Sequence, residues 1–149
     1  ATYVEQARLQ DARVRLEQSD DTIDVICSDH QPWAEEKKNR ELDLVPFGII
    51  GLETLLPICI KSLIEPGHLD WPQLIAKLTR RPAEILGIAK GTLQTGADAD
   101  VTIIDSELQW TIDPQQFRSL SRNTPFAGWQ VHGRAHTVIV GGNVRYSVE

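Results

Sequence analysis

Residues Ile23-Asp24-Val25-Ile26-Cys27-Ser28 form an apolar, β-branched run that ends abruptly in Asp29-His30-Gln31-Pro32-Trp33. A carboxylate and an imidazole therefore stand side by side where a strand would give way to a proline loop. A carboxylate in that position can take a proton from water and return it to a leaving group, or ligate a metal. A buried parallel strand reads as a short continuous apolar stretch, and the catalytic groups of a (β/α)8 barrel sit just past the carboxyl ends of such strands. Asp is equally a common helix cap and turn former. On these residues alone both readings stand.

The elements that must position Asp29 follow from periodicity. Residues 6–18 are charged, with apolar positions at Ala7, Leu9, Ala12, Val14 and Leu16, which predicts a surface helix. Asp20-Asp21 closes it before a strand over 22–27. Residues 28–46 are a long polar stretch with charges of both signs. A loop of more than about fifteen residues without structure of its own is usually functional or mobile, so an active-site loop is expected here. Residues 50–64 read as a helix burying Leu52, Leu55, Leu56, Ile60 and Leu63, with Pro57 as a kink or first-turn residue. After Pro66-Gly67, Asp70 is placed to cap a helix over 71–79 with Pro72 in its first turn. Pro82 opens a shorter helix to Leu86, stopped by Gly87. Beyond Gly91 the period changes, with β-rich runs at 100–105, 109–112, 129–132, 137–140 and 143–148. Gly141-Gly142 is a two-residue hairpin signal between the last two.

Three blocks in order then carry a resemblance. Asp29-His30-Gln31-Pro32, Glu35-Glu36-Lys37, Pro46-Phe47-Gly48-Ile49 and Gly51-Leu52-Glu53-Thr54 form the first. Gly91-Thr92-Leu93-Gln94-Thr95-Gly96-Ala97-Asp98-Ala99-Asp100 is the second, and Ser121-Arg122-Asn123-Thr124-Pro125-Phe126-Ala127-Gly128 the third. Together they resemble the dihydroorotase branch of the cyclic amidohydrolases. The resemblance covers only about the last third of such an enzyme: the His-x-His of the first barrel strand and the metal-binding residues of the middle strands have no counterpart. Where family members carry Asn-Pro-Pro-Leu-Arg, this chain has Thr2-Tyr3-Val4-Glu5-Gln6-Ala7-Arg8. The expected origins are a cleavage product, a trimmed piece, a separately encoded remnant or a frame-disturbed end.

The resemblance implies an α/β fold. Residues 1–90 would be the last βα portion of a (β/α)8 (TIM) barrel, with an active-site loop at 28–48. Residues 91–149 would be C-terminal strands of a small β-sandwich that both chain ends build. It implies reversible hydrolysis of dihydroorotate to N-carbamoyl-L-aspartate, in de novo pyrimidine biosynthesis. Zn2+ would lower the pKa of a bound water and polarise the ring carbonyl. Asp29 would touch the metal and move the proton, and the backbone at Phe47 and Gly48 would contact the pyrimidine ring. Trp33 stands where the family has a histidine that helps hold the substrate carboxylate, and an indole offers one N–H and no positive charge.

A zinc site needs three or four converging protein ligands, and this sequence supplies one credible ligand, Asp29. The isolated chain is therefore expected to be inactive without a complementary N-terminal portion. His30 is expected to bond within its loop, and His68, His132 and His136 to be structural or at the surface. Trp71, Trp110 and Trp129 are expected to fill the core or an interface. Alternatives are a non-catalytic dihydroorotase-like partner of aspartate transcarbamoylase and, from another substrate class, a hydantoinase or allantoinase. Association into a homo-oligomer or with aspartate transcarbamoylase is expected.

Composition narrows the rest. The 149 residues are 41% hydrophobic and 24% charged, ordinary for a globular domain. A net charge of −6 without a sustained basic run argues against nucleic acid. The apolar stretch 47–63 is broken by Glu53, Pro57 and Lys61, too polar for a membrane helix. Cys27 and Cys59 are expected to remain thiols, which points to the cytoplasm.

Overall fold

The computed structural model describes residues 23–41 and 43–148. The helix expected over 6–18, its Asp20-Asp21 stop and Thr22 lie outside the described residues. Elements follow in the order α1 (Glu35–Lys38), α2 (Leu55–Cys59), a π-helical turn (Ile60–Ile64), α3 (Trp71–Leu78), α4 (Arg80–Leu86), β1 (Val101–Thr111), a 3-10 turn (Pro114–Gln116), β2 (Gln130–Val140) and β3 (Asn143–Ser147).

The strand expected over 22–27 makes no ladder in residues 23–29. A strand exists through its neighbours, and the described residues give this one a single parallel bridge, His30 to Ile49. What holds it instead is α3. The Lys77 ammonium, 6% exposed, donates to the Ile23 carbonyl at 2.5 Å, and the Ile26 amide donates to the Lys77 carbonyl at 3.1 Å.

The loop after Asp29 is not wholly irregular, since Glu35–Lys38 forms one helical turn with acids first and lysines last, the arrangement the helix dipole favours. The helix expected from residue 50 begins at Leu55, because 51–54 is a turn in which the Leu55 amide bonds the Gly51 carbonyl at 2.9 Å. Leu52 lies in that turn, off the helical phase, and is 67% exposed rather than buried. Pro57 sits in the first turn of α2, where its missing N–H has no intrahelical partner to lose. The next turn widens, the Glu65 amide bonding the Ile60 carbonyl at 2.9 Å.

α3 begins as expected. Asp70 Oδ1 accepts from the Gln73 amide and Gln73 Oε1 from the Asp70 amide, both at 2.8 Å, so two orphan donors are satisfied reciprocally. Its apolar side buries Leu74 completely, beside Cys59, Ile60, Leu63 and Leu69. α4 ends on Gly87, whose φ of 65° supplies the left-handed cap.

The expected short β runs fuse into a three-stranded antiparallel sheet in the order β1-β2-β3. Runs 100–105 and 109–112 belong to one strand, as do 129–132 and 137–140. The alternation breaks without ending the strand because β1 bulges: Asp105 opposes Arg134, and the next pair is Gln109 with His132. The Asp105 carboxylate holds the bulge by accepting from the Glu107 and Leu108 amides at 3.0 and 3.1 Å. Gly141 and Gly142, at φ 56° and 78°, make the hairpin turn expected of them. Lys90 reaches Asp98 and Asp100 at 2.6 Å each, and Asp100 also accepts from the Gly141 amide at 2.8 Å. This anchors the second block to the hairpin, and the Lys90 ammonium holds the Asp100 carboxyl below its usual range.

Ile50 and Ile58 pack with Ile112, Phe117, Phe126 and Val131 in one buried cluster, with Trp110 against it. The sheet thereby sets the height of the segment that follows Gly48. Gly133 brings the sheet close to the helical layer: its φ is +79°, and a Cβ there would lie 2.2 Å from Ile60 Cδ1. Ile60 is 3% exposed and has no room to retreat. Gly133→Ala is expected to destabilise the chain by about 2–4 kcal/mol from backbone strain and overpacking, read as a lower urea midpoint at unchanged m. An unchanged midpoint would contradict this packing.

Candidate active site

Asp29 has a backbone φ of +43°, the one non-glycine residue with positive φ among the described residues. Asp tolerates the left-handed region better than most side chains, but such backbone costs free energy and collects at functional sites. The conformation turns the chain sharply between the apolar run and the proline loop. The exposed carboxylate accepts one side-chain bond, from Gln31 Nε2 to Oδ2 at 2.9 Å. Its second oxygen accepts no hydrogen bond within the described residues, and Asp29 lines a cleft.

His30 is a structural residue. Its Nδ1 accepts from the Gly51 amide at 3.1 Å and the Leu52 amide at 3.5 Å, which places the proton of the neutral ring on Nε2. The Gln31 amide donates to the Ile49 carbonyl at 2.8 Å. A Cβ on Gly51 would fall 2.7 Å from the Ser28 carbonyl oxygen. The backbones flanking Asp29 and Gly48 thus run against each other, and only glycine permits the approach.

The result is a cleft of about 310 Å3 whose lining includes Cys27, Asp29, Gln31, Phe47, Gly48 and Phe126. Three of the sequence-expected site residues, Asp29, Phe47 and Gly48, are brought together there. Among the described residues no Lys, Arg or His lines it. Phe47 is 73% exposed at its mouth. The Phe47 and Gly48 amides make no hydrogen bond within the described residues. The carbonyls beneath them are engaged: Lys38 Nζ donates to Pro46 and Gly48 at 2.9 and 2.6 Å, and Trp33 Nε1 to Phe47 at 3.0 Å. Gly48 keeps φ at +105°.

Trp33 does not line the cleft. Its indole N–H is spent on the Phe47 carbonyl, so it props the rim. His132 pairs with Glu65 at 3.0 Å and His136 with Thr137 at 2.9 Å, both away from Asp29. Trp110 donates to the Gly133 carbonyl at 3.1 Å, and Trp129 stacks edge-on against Phe126 at 5.2 Å; both serve packing. Cys27 and Cys59 are free thiols. Burial pushes the Cys59 thiol up to about 12, so it stays protonated and unreactive at neutral pH. Among the described residues no three His, Cys, Asp or Glu side chains converge as a metal site. Asp29 alone does not fit Zn2+. No helix among them is long and apolar enough to cross a membrane.

Gln31, Lys38 and Asn123 shape the site without having been singled out by sequence reasoning. Gln31 and Asn123 lie inside recognised blocks, which was the available signal; Lys38 follows Glu35-Glu36-Lys37 directly and carried none.

The Amidohydrolase family model matches residues 7–145. A protein named dihydroorotase from Pelotomaculum thermopropionicum is 50% identical over 133 residues, covering 89% of this chain and 31% of that protein. One of the same name from Syntrophotalea carbinolica is 49% identical over 128 residues, covering 86% and 30%. The L-hydantoinase (dihydropyrimidinase) structure from Arthrobacter aurescens superposes with a TM-score of 0.83 at 33% identity, over 91% of this chain and 31% of that one. The chain spans under a third of the length of these relatives. With the family model matching nearly all its residues, this chain belongs to the amidohydrolase family.

Proposed function

We propose that this chain forms the part of a dihydroorotase that moves the proton and reads the ring, in the reversible hydrolysis of dihydroorotate to N-carbamoyl-L-aspartate for pyrimidine synthesis. The observation that carries the reading is that Asp29, Phe47 and Gly48 line one cleft, with the Phe47 and Gly48 amides making no hydrogen bond within the described residues. Relatives of that name at 44–50% identity support it over the hydantoinase alternative.

In this reading the open oxygen of Asp29 takes a proton from the attacking water as its oxygen bonds to the ring carbonyl carbon. As the C–N bond breaks, the same carboxyl gives that proton to the departing nitrogen. The Phe47 and Gly48 amides donate to ring carbonyl oxygens, and the Gln31 bond aims the carboxylate. The substrate carboxylate needs a cation beyond the described lining of this cleft, which has none. Zn2+ would likewise need its other ligands from a complementary N-terminal portion, beside which residues 1–90 end a barrel and 91–149 complete a sandwich. The site would work in the cytoplasm, in a homo-oligomer or beside aspartate transcarbamoylase.

One observation favours a second reading, a non-catalytic partner of aspartate transcarbamoylase: Trp33 replaces the anion-holding histidine and its N–H is already bonded. Kinetics separate the two. The 149-residue chain with added Zn2+ is expected to show no dihydroorotate hydrolysis, because one carboxylate cannot hold a catalytic metal. The chain joined to a His-x-His-bearing N-terminal portion is expected to turn over at about 1 s−1 or faster. Turnover by the chain alone would overturn the ligand argument, and an inactive assembly would favour the partner role.

A further inference from the structure

Asn123 lies ninety residues from the loop it touches, and its side chain is fully used between the two halves of the cleft. Oδ1 accepts from the Trp33 amide at 3.2 Å. Nδ2 donates to the Gln31 carbonyl at 2.9 Å and the Gly48 carbonyl at 3.3 Å. Its own carbonyl accepts from the Ile50 amide at 3.1 Å. Only a planar amide, with acceptor and donor on one short stem, can satisfy all three side-chain bonds. A carboxylate would set an acceptor against two carbonyls.

We infer that Asn123 is the positioning residue that joins the Asp29-bearing loop to the substrate-reading loop, so that the Phe47 and Gly48 donors keep a fixed place relative to the Asp29 carboxylate. Asn123 does not reach the cleft lining, so its effect passes through Gln31 and Gly48. The Asp29 carboxylate keeps its bond from Gln31 Nε2 without it, and the neighbouring His30 keeps its bond from the Gly51 amide. Loss of Asn123 should therefore loosen ring recognition more than proton transfer. This consequence rests on the proposed hydrolase reading; the lock itself does not.

Hydrogen exchange on the chain as it stands reads the lock without substrate. In Asn123→Ala the Trp33 amide, which loses its acceptor, is expected to exchange about tenfold faster or more, and the Gln31 amide, bonded to the Ile49 carbonyl, to exchange faster as its segment loosens, while α3 and β2 keep wild-type protection. Unchanged exchange at Gln31 and Trp33, or acceleration throughout the chain, would overturn the assignment. Asn123→Asp keeps the acceptor for Trp33 and loses the donor to the Gln31 and Gly48 carbonyls, so Trp33 protection should persist while the Gln31 amide, held by the Ile49 carbonyl, exchanges faster only through loosening of its segment. In the complete hydrolase, both variants are expected to raise KM for dihydroorotate about tenfold with kcat within about threefold, the scale of one or two lost hydrogen bonds. A fall in kcat at constant KM, the signature of a merely unstable protein, would overturn the positioning role. If dihydroorotate is not a substrate at all, the exchange result still decides the lock and only the hydrolase reading fails.

Discussion

Asp29→Asn in the complete hydrolase is expected to lower kcat for dihydroorotate by at least about 10²-fold, the usual scale of a lost general acid–base group, with a much smaller change in KM. The substitution is clean for a reason specific to this backbone. Asp29 sits at φ +43°, and Asn tolerates left-handed geometry as well as Asp does. The Asn carbonyl can still accept from Gln31 Nε2, now at 2.9 Å from Oδ2. Shape, loop and hydrogen bond persist while the basic oxygen is lost. A loss of activity at unchanged thermal stability therefore reports chemistry, whereas unchanged kcat would remove the central assignment.

Gly48→Ala is expected to cost nearly as much by a different route. A Cβ at this position would lie 2.4 Å from Gln31 Oε1 and 2.6 Å from Gln31 Cβ, at a φ of +105° that side chains rarely adopt. The far end of Gln31 could swing away, but Gln31 Cβ is fixed to a backbone that bonds Ile49 and Asn123. Relief requires Gln31 to release Asp29 or the Phe47–Gly48 peptide to tilt. Either displaces a group from its working position, and misplacement on the ångström scale costs about 10²-fold. We expect kcat/KM for dihydroorotate to fall by about that factor. A Gly48→Ala enzyme within threefold of wild type would show that the tight contact does not organise the site.

Local chemistry made much of this legible in the sequence. Asp70 with Pro72 announced a capped helix, Gly141-Gly142 a hairpin, and the apolar run stopping at Asp29 a turn that presents a carboxylate. Each is decided by neighbours within a few residues. Other features were hidden because distant partners decide them. The bulge at Asp105 keeps β1 continuous through a break in alternation, since β2 supplies the register on both sides. Leu52 fitted a helical stripe but lies in a turn set by the His30 ring. The Trp33 indole looked available to a ligand until the Phe47 carbonyl took its N–H. The expected strand over 22–27 gains no ladder in its described part, because parallel neighbours for it are not among the described residues.

The most direct test of the account is a comparison of kcat/KM for dihydroorotate and for a simple hydantoin, using this chain assembled with a His-x-His-bearing N-terminal portion. The account predicts at least a tenfold preference for dihydroorotate, a difference of about 1.4 kcal/mol in transition-state binding, with both activities dependent on Asp29. A preference for the hydantoin would contradict it, as would hydrolysis of dihydroorotate that survives Asp29→Asn.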